Sequence, residues 1–151
     1  MGLFGSKIVL KQEYFVSCFN LDKNAISDFR KKQGFNVSVY TDGGALNVCA
    51  EMKGSFHSSL KIINKINSCG PQECEFYFYE INSFQEVMSF LKNYFTPVPE
   101  HVRFTYPDGI FRNYPTASVY LQDGNVLAWK SSSGPSWFTM YIISKDRIIK
   151  K

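Results

Sequence analysis

The stretch from Gly34 to Met52, GFNVSVYTDGGALNVCAEM, constrains the fold of this chain more than any other. Phe35, Val37 and Val39 alternate with other residues, and Ala45, then Val48 and Ala50, do so again after a shift of phase. Alternation of this kind sends successive side chains to opposite faces of a strand. Between the two runs, Thr41-Asp42-Gly43-Gly44 is a turn in which glycine takes positive φ without steric cost. The stretch predicts a β-hairpin.

The flanking segments read as helices. Asp22 is placed to cap a helix over 23–33 with Ala25, Ile26 and Phe29 on its apolar face. Arg30, Lys31 and Lys32 at its exit complement the helix dipole, and Gly34 stops it. Beyond the hairpin, Gly54 or Ser55 opens a second predicted helix. Leu60, Ile63 and Ile66 recur there at three-residue steps, Ile62 widens the stripe, and Gly70-Pro71 follows its end near Ser68. Ser83 and Glu86 form a capping box for a third helix carrying Val87, Phe90, Leu91 and Tyr94, which Pro97 and Pro99 terminate.

The remainder reads as strands. Residues 8–19 form one strand or two short ones. Glu73 to Ile81, ECEFYFYEI, places Cys74, Phe76 and Phe78 on one side and Glu75, Tyr77, Tyr79 and Ile81 on the other. In the last third, Val102 to Tyr106 alternates, and Ala117 to Leu121 and Val126 to Trp129 flank a second turn at Gln122-Asp123-Gly124-Asn125. Trp137 to Ser144 is a final strand, which Ile148 and Ile149 extend past Lys145-Asp146.

Through Ile81 this order is β-α-β-β-α-β, the ferredoxin-like arrangement, with helices on one face of the sheet and a third helix and a C-terminal β-meander added. The alternative is one longer mixed or antiparallel sheet with helices on one side. Both are α+β. The 151 residues are expected to form a single domain, with 1–7 as a flexible lead and 96–100 as the candidate internal boundary.

Composition narrows function. A content of 44% hydrophobic and 17% aromatic residues excludes general disorder and fits a large sheet. A formal charge of +4 is far from the basic footprint of a dedicated nucleic-acid binder. No apolar leader and no run of about 20 apolar residues is visible, so the expected setting is the cytoplasm, with free thiols. Met1-Gly2-Leu3-Phe4-Gly5-Ser6-Lys7 matches the myristoylation pattern M-G-x-x-x-[ST], with Gly2 as acceptor, Ser6 downstream and Lys7 able to meet anionic headgroups. A single acyl chain gives weak, reversible membrane association.

No catalytic set emerges. Cys49, Cys69, Cys74 and His57 are the soft ligands zinc needs, but no C-x-x-C knuckle holds them, so neither a metal nor another cofactor is expected. His57 and His101 are the two histidines available as bases for a hydrolase built on Cys18 or Cys49, and neither sits in a specific nucleophile context. The glycines of the hairpin lack a phosphate-loop pattern. The leading expectation is a non-enzymatic protein-interaction or regulatory module with an unknown protein partner, anchored through Tyr114, Tyr120, Trp129 and Trp137. The competing expectation is RNA or single-stranded nucleic-acid binding through Tyr40, Tyr77, Tyr79, Arg103 and Tyr106, whose rings can stack on bases.

Overall fold

A computed structural model describes residues 8–68, 72–80, 84–104, 117–129 and 137–149. In chain order its elements are α1 (Lys23–Lys32), β1 (Asn36–Asp42), β2 (Ala45–Lys53), β3 (Ser59–Asn67), β4 (Glu73–Tyr79), α2 (Phe84–Tyr94), β5 (Thr96–Pro97), β6 (Arg103–Phe104), β7 (Ala117–Tyr120), β8 (Val126–Trp129), β9 (Trp137–Ile143) and β10 (Ile148–Ile149). Eight strands form one sheet in the order β1-β2-β3-β4-β9-β8-β7-β5, while β6 and β10 pair separately. Every pairing is antiparallel.

The predicted hairpin is β1–β2. Gly43 and Gly44, at φ 58° and 81°, make the two-residue turn between Asp42 and Ala45. These are the positive values that a tight hairpin of right-handed twist requires. Helix α1 also follows its sequence signals. The Asp22 carboxylate accepts from the Ala25 N–H at 2.8 Å. Gly34, at φ 99°, ends the helix, and the Phe35 N–H returns to the Arg30 carbonyl at 3.1 Å.

The predicted second helix is a strand instead. In SLKIINKIN, Leu60, Ile62, Asn64 and Ile66 share one face of β3, and Ser59, Lys61, Ile63, Lys65 and Asn67 share the other. The three-residue recurrence of apolar residues fits a helix as well, but the β-branched isoleucines suit a strand held between two ladders. Residues 54–58 are a tight connection, with Phe56 and His57 in left-handed backbone and the Gly54 N–H on the Ser58 carbonyl at 2.9 Å. Four strands thus follow one another as a meander, and the ferredoxin-like order gives way to one dominant antiparallel sheet with two helices.

Residues 8–19 are not a strand either. They run as an irregular strap with a single 3-10 turn at Gln12–Tyr14. Its backbone carbonyls are met by side chains from elsewhere. Gln33 Nε2 donates to Glu13 O at 2.6 Å, Arg30 Nη1 to Tyr14 O at 3.0 Å, Arg30 Nη2 to Val16 O at 2.8 Å and Asn64 Nδ2 to Ser17 O at 2.6 Å. Buried carbonyls need partners, and here no ladder is required to supply them. Arg30, read from sequence as a helix-end charge, is fully buried, while Lys31 and Lys32 remain exposed.

The strap and both helices pack on the same face of the sheet. Phe15 stacks on Phe76 at 5.2 Å between ring centroids and meets Phe90 and Phe95 at 5.9 and 6.1 Å. Val87 and Leu91 of α2 are buried in that cluster, and Ile26 of α1 lies against Val48. Tyr94, expected on the apolar stripe, is exposed. The opposite face is partly covered. Phe104 of β6 packs on Val126, Ala128 and Ile143, with Ile148 of β10 beside them. Ile148 and Ile149 therefore pair with Arg103–Phe104 and do not lengthen the final strand. The 96–100 link carries β5, which bonds to β7. Tyr106, Tyr114, Cys69, Ser83 and residues 1–7, with the lipidation candidates Gly2, Ser6 and Lys7, lie outside the described residues.

Candidate functional site

The face of β3, β4 and β9 turned away from the helices carries the densest exposed chemistry of the described residues. Alternation puts Glu75, Tyr77 and Tyr79 of β4 on it, and the register sets Tyr79 opposite Trp137, Tyr77 opposite Thr139 and Glu75 opposite Tyr141 of β9. On the other flank, Lys61 stands opposite Tyr77 and Ile63 opposite Glu75. The Tyr77 and Tyr79 rings are nearly parallel, 6.4 Å apart with 6° between planes. Trp137 is 53% exposed. Cross-strand aromatic neighbours of this kind form a flat, rigid patch with little rotamer entropy to lose on contact.

The polar centre of this face is internally matched. The Tyr77 hydroxyl donates to the Glu75 carboxylate, and the Lys65 ammonium pairs with the same carboxylate. Glu75 is itself buried. Burial, then the hydrogen bond and charge of Glu75, push the Tyr77 phenol well above its usual range. Burial and the Glu75 charge also raise Tyr141. Burial works against the Lys65 ammonium, but Glu75 outweighs it and its pKa stands above that of an ordinary lysine. These groups hold their protons at neutral pH. They can present hydrogen bonds and ring faces but do not assemble a base and nucleophile.

The sequence candidates separate on this frame. Tyr77, Tyr79 and Trp137 come together. Tyr40 shares their face but lies three strands away on β1, opposite Asn47. Arg103 belongs to the separate two-stranded sheet, where its Nη1 donates to the Glu100 carbonyl at 3.0 Å. Tyr120 packs against the cluster around Phe104. Trp129 is fully buried in the main core, because β8 is covered on both faces. Its ring is unavailable for contact in this fold. Glu75 and Lys65 were not singled out from sequence. Their signal was the Lys61–Lys65 spacing, which a strand reading of β3 places on one face.

A cleft of about 420 Å³ opens at the other end of the strap, between Ser17, Asn20, Asp123, Asn125 and Lys145. Ser17 Oγ donates to Asp123 Oδ2 at 2.7 Å and accepts from Asn125 Nδ2 at 2.8 Å, while Asn125 Oδ1 accepts the Lys145 N–H at 2.9 Å. This network ties the strap to the β7–β8 turn and to the chain after β9. Neither His57 nor His101 lines it, and both are exposed. Cys49 and Cys74 point to opposite faces of the sheet and cannot share a metal ion. Among the described residues, no group of three His, Cys, Asp or Glu side chains is placed to hold one, and no helix is long and apolar enough to cross a membrane.

No protein-family model, no curated protein and no solved structure matches this chain.

Proposed function

We infer that the chain is a non-enzymatic protein-interaction module that docks its partner on the aromatic end of the open sheet face, around Tyr79 and Trp137. The observation that carries this reading is Trp137, a tryptophan 53% exposed on a strand, directly opposite Tyr79. Tryptophan and tyrosine on a rigid support are the residues that dominate interface energetics. A protein partner is favoured over nucleic acid by the charges. Glu75 engages Lys65, and Glu51 stands opposite Lys61, so the lysines of this face are matched by carboxylates and offer phosphates little net attraction.

The test is affinity. A partner captured by the wild-type chain is purified, and its Kd is measured against wild type, Trp137→Ala and Tyr94→Ala. Tyr94 is exposed on α2, away from this face. The reading expects Trp137→Ala to weaken binding by about 30-fold, the scale of a hot spot of about 2 kcal/mol, with Tyr94→Ala unchanged. Equal affinity for wild type and Trp137→Ala overturns it. So does salt-sensitive binding to a single-stranded oligonucleotide pool that Tyr77→Ala abolishes.

Acylation at Gly2 belongs to the same proposal and rests on the M-G-x-x-x-[ST] pattern alone. Intact mass after expression in a eukaryotic cell tests it. A myristoyl increment in wild type and none in Gly2→Ala is expected, and its absence from both removes the tether.

A further inference from the structure

The two edges of the main sheet differ. One is β5, two residues long and containing Pro97, which lacks an N–H. Short edges and proline are the usual protections against pairing with another chain. The other is β1, Asn36–Asp42, NVSVYTD, seven residues with no lysine, arginine or proline. Val39 and Tyr40, on its opposite faces, are 44% and 43% exposed.

Its unpaired backbone groups have a definite order. Asp42 and Ala45 close a two-residue turn and are directly opposite each other, which makes them a hydrogen-bonded pair. The alternation then turns Tyr40, Ser38 and Asn36 toward β2 and leaves the N–H and C=O of Val37, Val39 and Thr41 pointing outward. These groups are symmetric about Val39. An antiparallel second β1 centred there sets Val39 opposite Val39, Val37 opposite Thr41 and Asn36 opposite Asp42, with about six inter-chain hydrogen bonds. The charges agree with this register. α1 ends in exposed Lys31 and Lys32, just before β1 begins, so the basic end of one copy meets Asp42 of a second copy.

We propose that β1 is a self-pairing edge, through which two copies of this chain join antiparallel about Val39 and continue the sheet from one to the other. The contact is isologous, each copy offering the same groups, and it closes as a dimer. A foreign strand could satisfy the same backbone, but the match between Asp42 and the end of α1 is a property of this chain with itself.

Sedimentation velocity on the purified wild-type chain over a hundredfold range of concentration, combined with hydrogen exchange read at single amides, tests this. The expected result is a concentration-dependent doubling of mass, accompanied by slowing of exchange at Val37, Val39 and Thr41. Val39→Lys places two ammonium groups across the axis and should weaken self-association at least about tenfold. A wild-type chain that stays monomeric across the range overturns the proposal. A dimer in which those amides exchange as in the monomer overturns it equally. The exchange measurement decides the question even where the Val39→Lys chain fails to fold, since it needs only the wild type.

Discussion

Replacing Arg30 by methionine removes the clamp on the strap while keeping most of the side-chain stem. In the native chain, Nη1 meets Tyr14 O at 3.0 Å and Gln33 Oε1 at 3.0 Å, and Nη2 meets Val16 O at 2.8 Å. The guanidinium also lies 5.5 Å from the centre of the Phe29 ring. The variant orphans two strap carbonyls, at about 1–3 kcal/mol each. It also loses the ring contact, worth about 0.5–1 kcal/mol. The opposing term is the cost of burying a cation with no carboxylate bonded to it, which the variant no longer bears. The oxygen acceptors already recover much of that cost in the native protein. The net expectation is a loss of about 3 kcal/mol. For a chain of this size, that is a fall in Tm of about 6–12 °C. Thermal and urea unfolding measure the total, and hydrogen exchange shows where it acts, with faster exchange over residues 13–18. A variant as stable as wild type, with unchanged exchange in the strap, would refute the reasoning. It would mean that aromatic packing of Phe15 alone holds this segment.

Further consequences follow from particular side chains. Cys74 is fully buried and its thiol is pushed up to about 12 from 9.0, chiefly by burial. Native alkylation should spare it, and mass mapping should find it labelled only after unfolding. The folded chain keeps this proton after the unfolded chain has lost it. The resulting stabilisation is complete below pH 9.0 and declines as pH rises toward 12, by about 1.4 kcal/mol per pH unit for this group. Tyr77 and Tyr141, raised from 10.0, steepen the decline at the upper end. Urea melts at increasing alkaline pH measure it, and a flat profile would contradict the buried placement. Glu75→Gln removes the negative charge facing the Tyr77 phenol, so an ultraviolet titration should show its ionisation at lower pH than in wild type. Gly44→Ala meets no atom within 4 Å, so its cost is the backbone strain at φ 81°, about 1 kcal/mol in chemical unfolding.

The parts of the fold legible in the sequence were those set by local chemistry. Gly43-Gly44, Asp22 and Gly34 each act within a few residues, and each did what its type suggests. β3 was misread because Leu60, Ile63 and Ile66 satisfy a helical period while Leu60, Ile62 and Ile66 also satisfy a two-residue one. Only pairing with β2 and β4 decides between them. The strap was illegible for a different reason. Its carbonyls are satisfied by Arg30 and Asn64, and Asn64 lies 47 residues from Ser17. No local pattern encodes that distance. The candidate site was half visible. The alternation of ECEFYFYEI separated Tyr77 and Tyr79 from Phe76 and Phe78, and that division holds. What distinguishes Trp129 from Trp137 is the second layer of β6 and β10, which packs on Val126 and Ala128 of β8 and leaves the start of β9 open. A layer formed by pairing Arg103–Phe104 with Ile148–Ile149 cannot be read from either tryptophan's neighbours.

The central claim is that Trp137 marks a docking face while Trp129 is core. Fluorescence quenching by acrylamide in single-tryptophan chains, with and without a purified partner, addresses it directly. Trp129→Phe leaves only Trp137, and its emission should be readily quenched alone and protected once the partner is bound. Trp137→Phe leaves only Trp129, which should resist quenching in both states. Unchanged quenching of Trp137 in the saturated complex would contradict the account and place the partner elsewhere on the molecule.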